Sequence, residues 1–289
     1  MRKRLGFIFG GLLFFQSLLI VSGGAVRLTG SGLGCPTWPT CTGNSYKPIP
    51  HQAQGQLHAW IEFGNRLIAW LIFIFALAAL IGVRKLLRDR SNYRTLFWLA
   101  IGQLLGFLAQ AILGGITVLT KLNPFSVSAH FLLSLPLVAG ALSLLIRYRE
   151  KPIFKLYPNS NHLFRALLST TTLLIIVGTI VTGSGPLAGD IQAKRYKLDA
   201  AKIAHLHSYI AIAVLILAVG LLAQLRNTLS KTLTKALWTF IFVLFLQGAL
   251  GYWQFNQGLP ELLVGIHLLG ATLTWNLIWY IKLKIRSRE

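Results

Sequence analysis

Ile61-Glu62-Phe63-Gly64-Asn65-Arg66-Leu67-Ile68-Ala69-Trp70-Leu71-Ile72-Phe73-Ile74-Phe75-Ala76-Leu77-Ala78-Ala79-Leu80-Ile81-Gly82-Val83 carries no charge after Arg66. A hydrocarbon core about 30 Å thick takes about 20 helical residues at about 1.5 Å each, so this stretch crosses a bilayer as one helix. Runs of the same kind predict eight spans, at roughly 6–26, 61–83, 95–119, 127–146, 165–182, 203–225, 235–255 and 262–282. Composition agrees: 54% of the 289 residues are hydrophobic and 12% charged, where soluble domains carry roughly 25% charged residues. The fold class is an all-α integral membrane protein, multi-pass in the plasma membrane.

The first span follows Arg2, Lys3 and Arg4; its apolar run is too long for a signal peptide and lacks a clean small-residue cleavage site, so it reads as a retained helix. A formal net charge of +21 would suggest nucleic acid in a soluble protein. Here the charge follows the membrane instead. Basic residues collect in alternate loops: Arg84, Lys85, Arg88, Arg90 and Arg94; Arg147, Arg149, Lys151 and Lys155; Arg226, Lys231 and Lys235; and finally Lys282, Lys284, Arg286 and Arg288. This positive-inside pattern places both termini in the cytoplasm and removes the case for a nucleic-acid partner. One loop dissents, with Lys194, Arg195, Lys197 and Lys202 offset by Asp190 and Asp199.

The two halves resemble each other. Leu108-Ala109-Gln110-Ala111-Ile112-Leu113-Gly114 precedes His130, and Phe245-Leu246-Gln247-Gly248-Ala249-Leu250-Gly251 precedes His267, with 20 residues from Gln to His in each case. Thr29-Gly30-Ser31-Gly32 and Thr182-Gly183-Ser184-Gly185 follow the first and fifth spans. An even number of spans per half gives both the same orientation. The expected architecture is two pseudo-symmetric four-helix bundles, residues 1–150 and 151–289.

Ionisable groups inside spans cost about 2.5–3.5 kcal/mol each on insertion scales, so each that occurs invites a functional reading. His58, Glu62 and Asn65 share one helical stripe, with Arg66 adjacent. Glu62 is placed for proton transfer or for an ion pair with Arg66. His130, His207 and His267 fall at similar depth on even-numbered spans, and two such helices facing each other place imidazoles on both sides of a planar iron porphyrin. For a lone histidine an interhelical hydrogen bond is the simpler account; the matched pair His130 and His267 favours ligation. His205 points about 200° away from His207. His51 and His162 read as loop residues. The two cysteines, Cys35 and Cys41, lie in the first external loop, where an oxidising compartment lets a disulfide persist, either as a redox pair or as a staple over a cavity.

Gly23-Gly24-Ala25-Val26-Arg27-Leu28-Thr29-Gly30-Ser31-Gly32-Leu33-Gly34-Cys35-Pro36-Thr37-Trp38-Pro39-Thr40-Cys41, followed by Glu62-Phe63-Gly64-Asn65-Arg66, resembles the haem A synthase family. Asn123-Pro124 through His130 and His267-Leu268-Leu269-Gly270-Ala271 extend the resemblance to the fourth and eighth spans. It implies oxidation of the C8 methyl of haem O to the formyl group of haem A, by successive hydroxylations, to supply cytochrome oxidase. It implies a cofactor haem b in the C-terminal bundle on His207 and His267, with substrate haem O near Glu62 and His130 in the N-terminal one. Glu62 becomes the catalytic carboxylate and Cys35–Cys41 a functional disulfide. Arg27 and Arg66 become candidates for haem propionates, with Asn65 a polar contact. The implied partners are haem O synthase, cytochrome oxidase assembly factors and a membrane electron acceptor, and a homo-oligomer is compatible with such a protein. Many members carry Glu-x-x-His-Arg, whereas Asn65 stands at the histidine position here. His58, one turn before Glu62, is the substitute ligand from the same face, or His130 binds the substrate iron alone. The second half also lacks the cysteine pair that some members carry. A dihaem b-type electron carrier acting on quinones is the alternative, and a transporter a third reading.

Overall fold

The apolar runs become eight helices: α1 (Arg2–Leu28), α2 (Gln56–Asp89), α3 (Arg94–Leu119), α4 (Pro124–Arg149), α5 (Pro158–Ser184), α6 (Ala200–Leu225), α7 (Lys231–Asn256) and α8 (Glu261–Lys284). Each is long and apolar enough to cross a membrane. The computed structural model describes residues 2–89, 93–149, 154–156 and 158–287. Of the basic residues named above, Arg90, Lys151 and Arg288 lie outside the described residues, as do the side chains of Arg2, Arg88 and Arg286. Two compact units divide the chain, one of Met1–Tyr148 with Thr182–Lys197, the other of Arg149–Val181 with Leu198–Glu289.

The helices outrun their hydropathy signal because backbone hydrogen bonding continues past the apolar stretch into the polar interface. Two expectations are corrected by this. His162 is helical, in the second turn of α5, whose first residue Pro158 suits the opening position where no backbone N–H is needed. Lys202 is in α6 and not the preceding loop: the Asp199 carboxylate accepts from the N–H groups of Ala201 and Lys202 at 3.0 and 3.1 Å, and the helix starts there. A short parallel pairing also escaped the pattern, β1 (Phe154–Leu156) on β2 (Ile285–Ser287), which ties the segment before α5 to the end of α8.

In the first unit, Leu5, Phe9 and Leu12 of α1 meet Ile72, Ala76, Ala79, Val83 and Leu86 of α2, with Leu96 and Ala100 of α3 and Ala141 and Leu144 of α4 completing the core. The three-and-four spacing is the buried stripe of each helix. Polar glue crosses the same unit: Gln16 Nε2 donates to Gln103 Oε1 at 3.1 Å, and Gln103 Nε2 to the Leu137 carbonyl at 3.0 Å. Large apolar side chains such as Trp70, Leu105, Ile216 and Phe245 are exposed, as a lipid-facing surface requires. Phe9 is fully buried with its ring 5.4 Å from that of Tyr148. Phe9→Ala is expected to destabilise the first unit by about 3–5 kcal/mol, read as a lowered midpoint of unfolding in mixed micelles.

Candidate functional site

A carboxylate set in a membrane bundle persists only when paired and hydrogen-bonded. Glu62, the seventh residue of α2, is 6% exposed, and both of its oxygens are taken. The Cys35 backbone N–H donates to Oε2 at 2.7 Å, and Arg66 Nη2 donates to Oε1 at 2.7 Å. Arg66 reaches further, to the carbonyls of Cys35 (3.0 Å), Thr37 (3.2 Å) and Thr40 (3.0 Å). Its guanidinium lies 5.2 Å from the Trp38 ring centre, within cation–π range. The Cys35–Cys41 disulfide is formed, and both cysteines are fully buried. The loop is thus a closed ring seated on one turn of α2, and the two readings of Glu62 meet in one arrangement: it is an ion pair, and it sits at the ring's backbone. Arg66 directs its Nη groups at the protein itself.

The loop can approach this closely because Gly34 has no side chain; a Cβ there would collide with the His58 carbonyl. The indole of Trp38 rests in the same way on Gly115 of α3. Gln52 donates to the Gly34 carbonyl. His58 is in the first turn of α2, its Nδ1 2.9 Å from Ser31 Oγ, which is 2.8 Å from Thr29 Oγ1. Asn65 Oδ1 accepts from Ser22 Oγ of α1 at 2.6 Å. Ser22, Ser31 and Trp38 were not singled out from the sequence, since their roles depend on contacts from 27 to 77 residues away.

The three candidate histidines occupy matching positions along their own helices. His130 and His267 are each the seventh residue of their helix and His207 the eighth, about 9–11 Å from the helix start at about 1.5 Å per residue. Each ring faces a glycine on the preceding helix. A Cβ at Gly114 would lie 3.2 Å from His130 Cε1, one at Gly251 3.4 Å from His267 Cε1, and one at Gly178 2.9 Å from His207 Cε1. Gln110 Nε2 donates to the His130 carbonyl (3.1 Å) and to Ser134 Oγ (2.7 Å), holding α3 to α4 beside the ring. His205 is exposed, its ring 5.8 Å from that of Phe255.

Within the second unit the rings of His207 and His267 lie 6.3 Å apart, centre to centre, at an interplanar angle of 65°. A metal held between two imidazoles at about 2 Å per bond separates ring centres by roughly 6 Å. The Nδ1 atoms of His130 and His267 are buried without a hydrogen-bond partner, which is unusual for a ring nitrogen in a finished site. Among the described residues no group of three or more His, Cys, Asp or Glu side chains could hold a metal ion. A histidine pair alone suits a metal that brings its remaining ligands with it, as in a porphyrin.

Comparison with known proteins gives a consistent result. A sequence profile of the COX15-CtaA family, described as cytochrome oxidase assembly protein, matches residues 7–189, more than half of the chain. Among curated relatives, a haem A synthase of Geobacillus thermodenitrificans is 30% identical over 145 residues, covering 49% of this chain and 43% of that relative. One of Geobacillus kaustophilus is 33% identical over 147 residues, covering 50% and 43%. One of Bacillus cereus is 32% identical over 124 residues, covering 42% and 36%. The match thus spans less than half the length of these relatives. With the family profile running from α1 through the segment after α5, over the Cys ring, Glu62 and His130, the protein belongs to the haem A synthase (COX15-CtaA) family of cytochrome oxidase assembly proteins.

Proposed function

We propose that this protein is a haem A synthase, oxidising the C8 methyl of haem O to the formyl group of haem A in the first unit. The observation that carries the reading is Glu62, a buried carboxylate fixed by the Cys35 N–H and by Arg66 beneath the disulfide ring. An electron carrier or a transporter needs neither group.

Loss of two electrons and one proton from the methyl group, the electrons passing to a membrane electron acceptor and the proton to solvent, develops positive charge beside the porphyrin, and a fixed carboxylate stabilises it without reorganising. Glu62 then takes the proton of the water that attacks the carbon. Arg66 and the Cys35 N–H hold the two oxygens in place during both events, and Trp38 backs the guanidinium. His130, and His58 through its ring nitrogen not facing Ser31, are the candidate ligands of the substrate iron. His207 and His267 are the candidate ligands of a resident haem b, which would supply one-electron transfer when bound; their ring separation supports the assignment. By the positive-inside rule the Cys ring faces the outside and both termini the cytoplasm. Haem O synthase and the oxidase assembly factors are the partners that supply and receive haem.

Co-expression with a haem O synthase in a host that makes no haem A tests the reaction. Extracted haems are expected to contain haem A or its hydroxylated intermediate; haem O alone, with the protein folded and in the membrane, overturns the proposal.

A further inference from the structure

Arg27 lies in the last turn of α1, and Arg195 in the segment between α5 and α6; both belong to the first unit. The segment folds over the arginine of the helix. Arg27 Nη2 donates to the Thr182 carbonyl at 2.9 Å, and the Gly189 backbone packs on the Arg27 stem, so that a Cβ at 189 would sit 3.6 Å from its Cα. Gly189 has φ +95°, a conformation glycine adopts freely, and its carbonyl accepts from the Gly32 N–H at 2.9 Å. Tyr196 anchors the far side, its hydroxyl 2.9 Å from Ser128 Oγ and 3.1 Å from the Pro124 carbonyl. Arg195 donates to the carbonyls of Ala193 (3.0 Å) and Pro186, and it is close enough to act electrostatically on Arg27.

The two guanidiniums carry five donors each, and the three carbonyl bonds leave most of them over. Neither lies within ion-pair distance of a carboxylate among the described residues. Like charges brought together at the end of a membrane bundle repel, and an oxyanion between them reverses the sign of that interaction. The planar arginine fork fits carboxylates in particular. Ser31 follows α1 directly and bonds His58 of α2, one turn from Glu62. A porphyrin is apolar except at its propionate edge, which therefore stays at such a polar rim.

We propose that Arg27 and Arg195 form a carboxylate clamp that takes the propionates of the haem entering the first unit, with Arg195 supplied by the segment after α5. The proposal rests on the reading of that unit as the haem O site. Its test is a binding titration of the full-length protein, carrying its resident haem, with zinc protoporphyrin IX and with the dimethyl ester of that porphyrin. The unaltered protein is expected to prefer the free acid by about tenfold or more, the scale of charge-assisted hydrogen bonds. Arg195→Gln is expected to remove most of that preference, Arg195→Lys to keep part of it, and Arg27→Gln to act as Arg195→Gln does. An unchanged preference in Arg195→Gln, which alters a half-exposed loop side chain and leaves the helices alone, overturns the proposal. So does a preference that vanishes when phosphatidylglycerol is added to neutral bilayers, because the clamp then holds lipid phosphate. Binding is read without turnover: a protein that discriminates the ester yet converts no haem O refutes the reaction and leaves the clamp standing.

Discussion

Glu62→Gln is expected to lower haem A formation by roughly 10²–10⁴-fold, the range over which a positioned acid or base acts. Glutamine is the informative replacement because its amide oxygen can still accept from the Cys35 N–H or from Arg66, so the ring keeps its seat. Alanine would leave Arg66 buried without its countercharge, a defect of about 3–5 kcal/mol that confuses folding with chemistry. The measurement is the haem A to haem O ratio in extracts, taken beside the yield of disulfide-bonded protein and the spectrum of any resident haem. Normal haem A formation by Glu62→Gln would remove the carboxylate from the mechanism; loss of the disulfide or of resident haem together with haem A would assign it a structural part only.

His207→Ala and His267→Ala are each expected to reduce the resident haem of the purified protein to a trace. Even residues that only orient a metal ligand change affinity by about 10–100-fold, and losing the ligand itself should exceed that. The two imidazole ring centres lie 6.3 Å apart, so removing either would take away one of the two proposed holders of that haem. His130→Ala, in the other unit, is expected to leave the resident haem spectrum intact. If His267→Ala retained a full complement of six-coordinate haem, the pairing with His207 would be wrong.

The spans were legible because lipid demands one property, continuous apolarity, that each segment states by itself. Their ends were not, since Pro158 and Asp199 start helices in polar sequence where hydropathy is silent. The matching helix positions of His130 and His267 were legible from register, and the nearness of Glu62 and Arg66 from helical spacing. What joins the Cys ring to α2 was not: Arg66 and Glu62 bond the loop through its backbone, and every residue type carries the same carbonyl and all but proline the same N–H. The segment 182–197 poses the same difficulty, because the Gly32–Gly189 and Tyr196–Ser128 bonds that tie it into the first unit leave no local pattern. The glycines facing His130 and His267 stood inside the repeated motif, whereas Gly178 facing His207 lay outside it.

Arg66 takes carbonyl oxygens at 35, 37 and 40, and Glu62 takes the N–H at 35. None of these contacts consults a side chain between the two cysteines, and only Trp38 adds one, through its ring face. The heptapeptide therefore works as a gauge block: its residue count, locked by the cross-link, sets where the oxygens fall, and most of its chemistry is free to drift. A single inserted residue would disturb the carboxylate more than several exchanged ones.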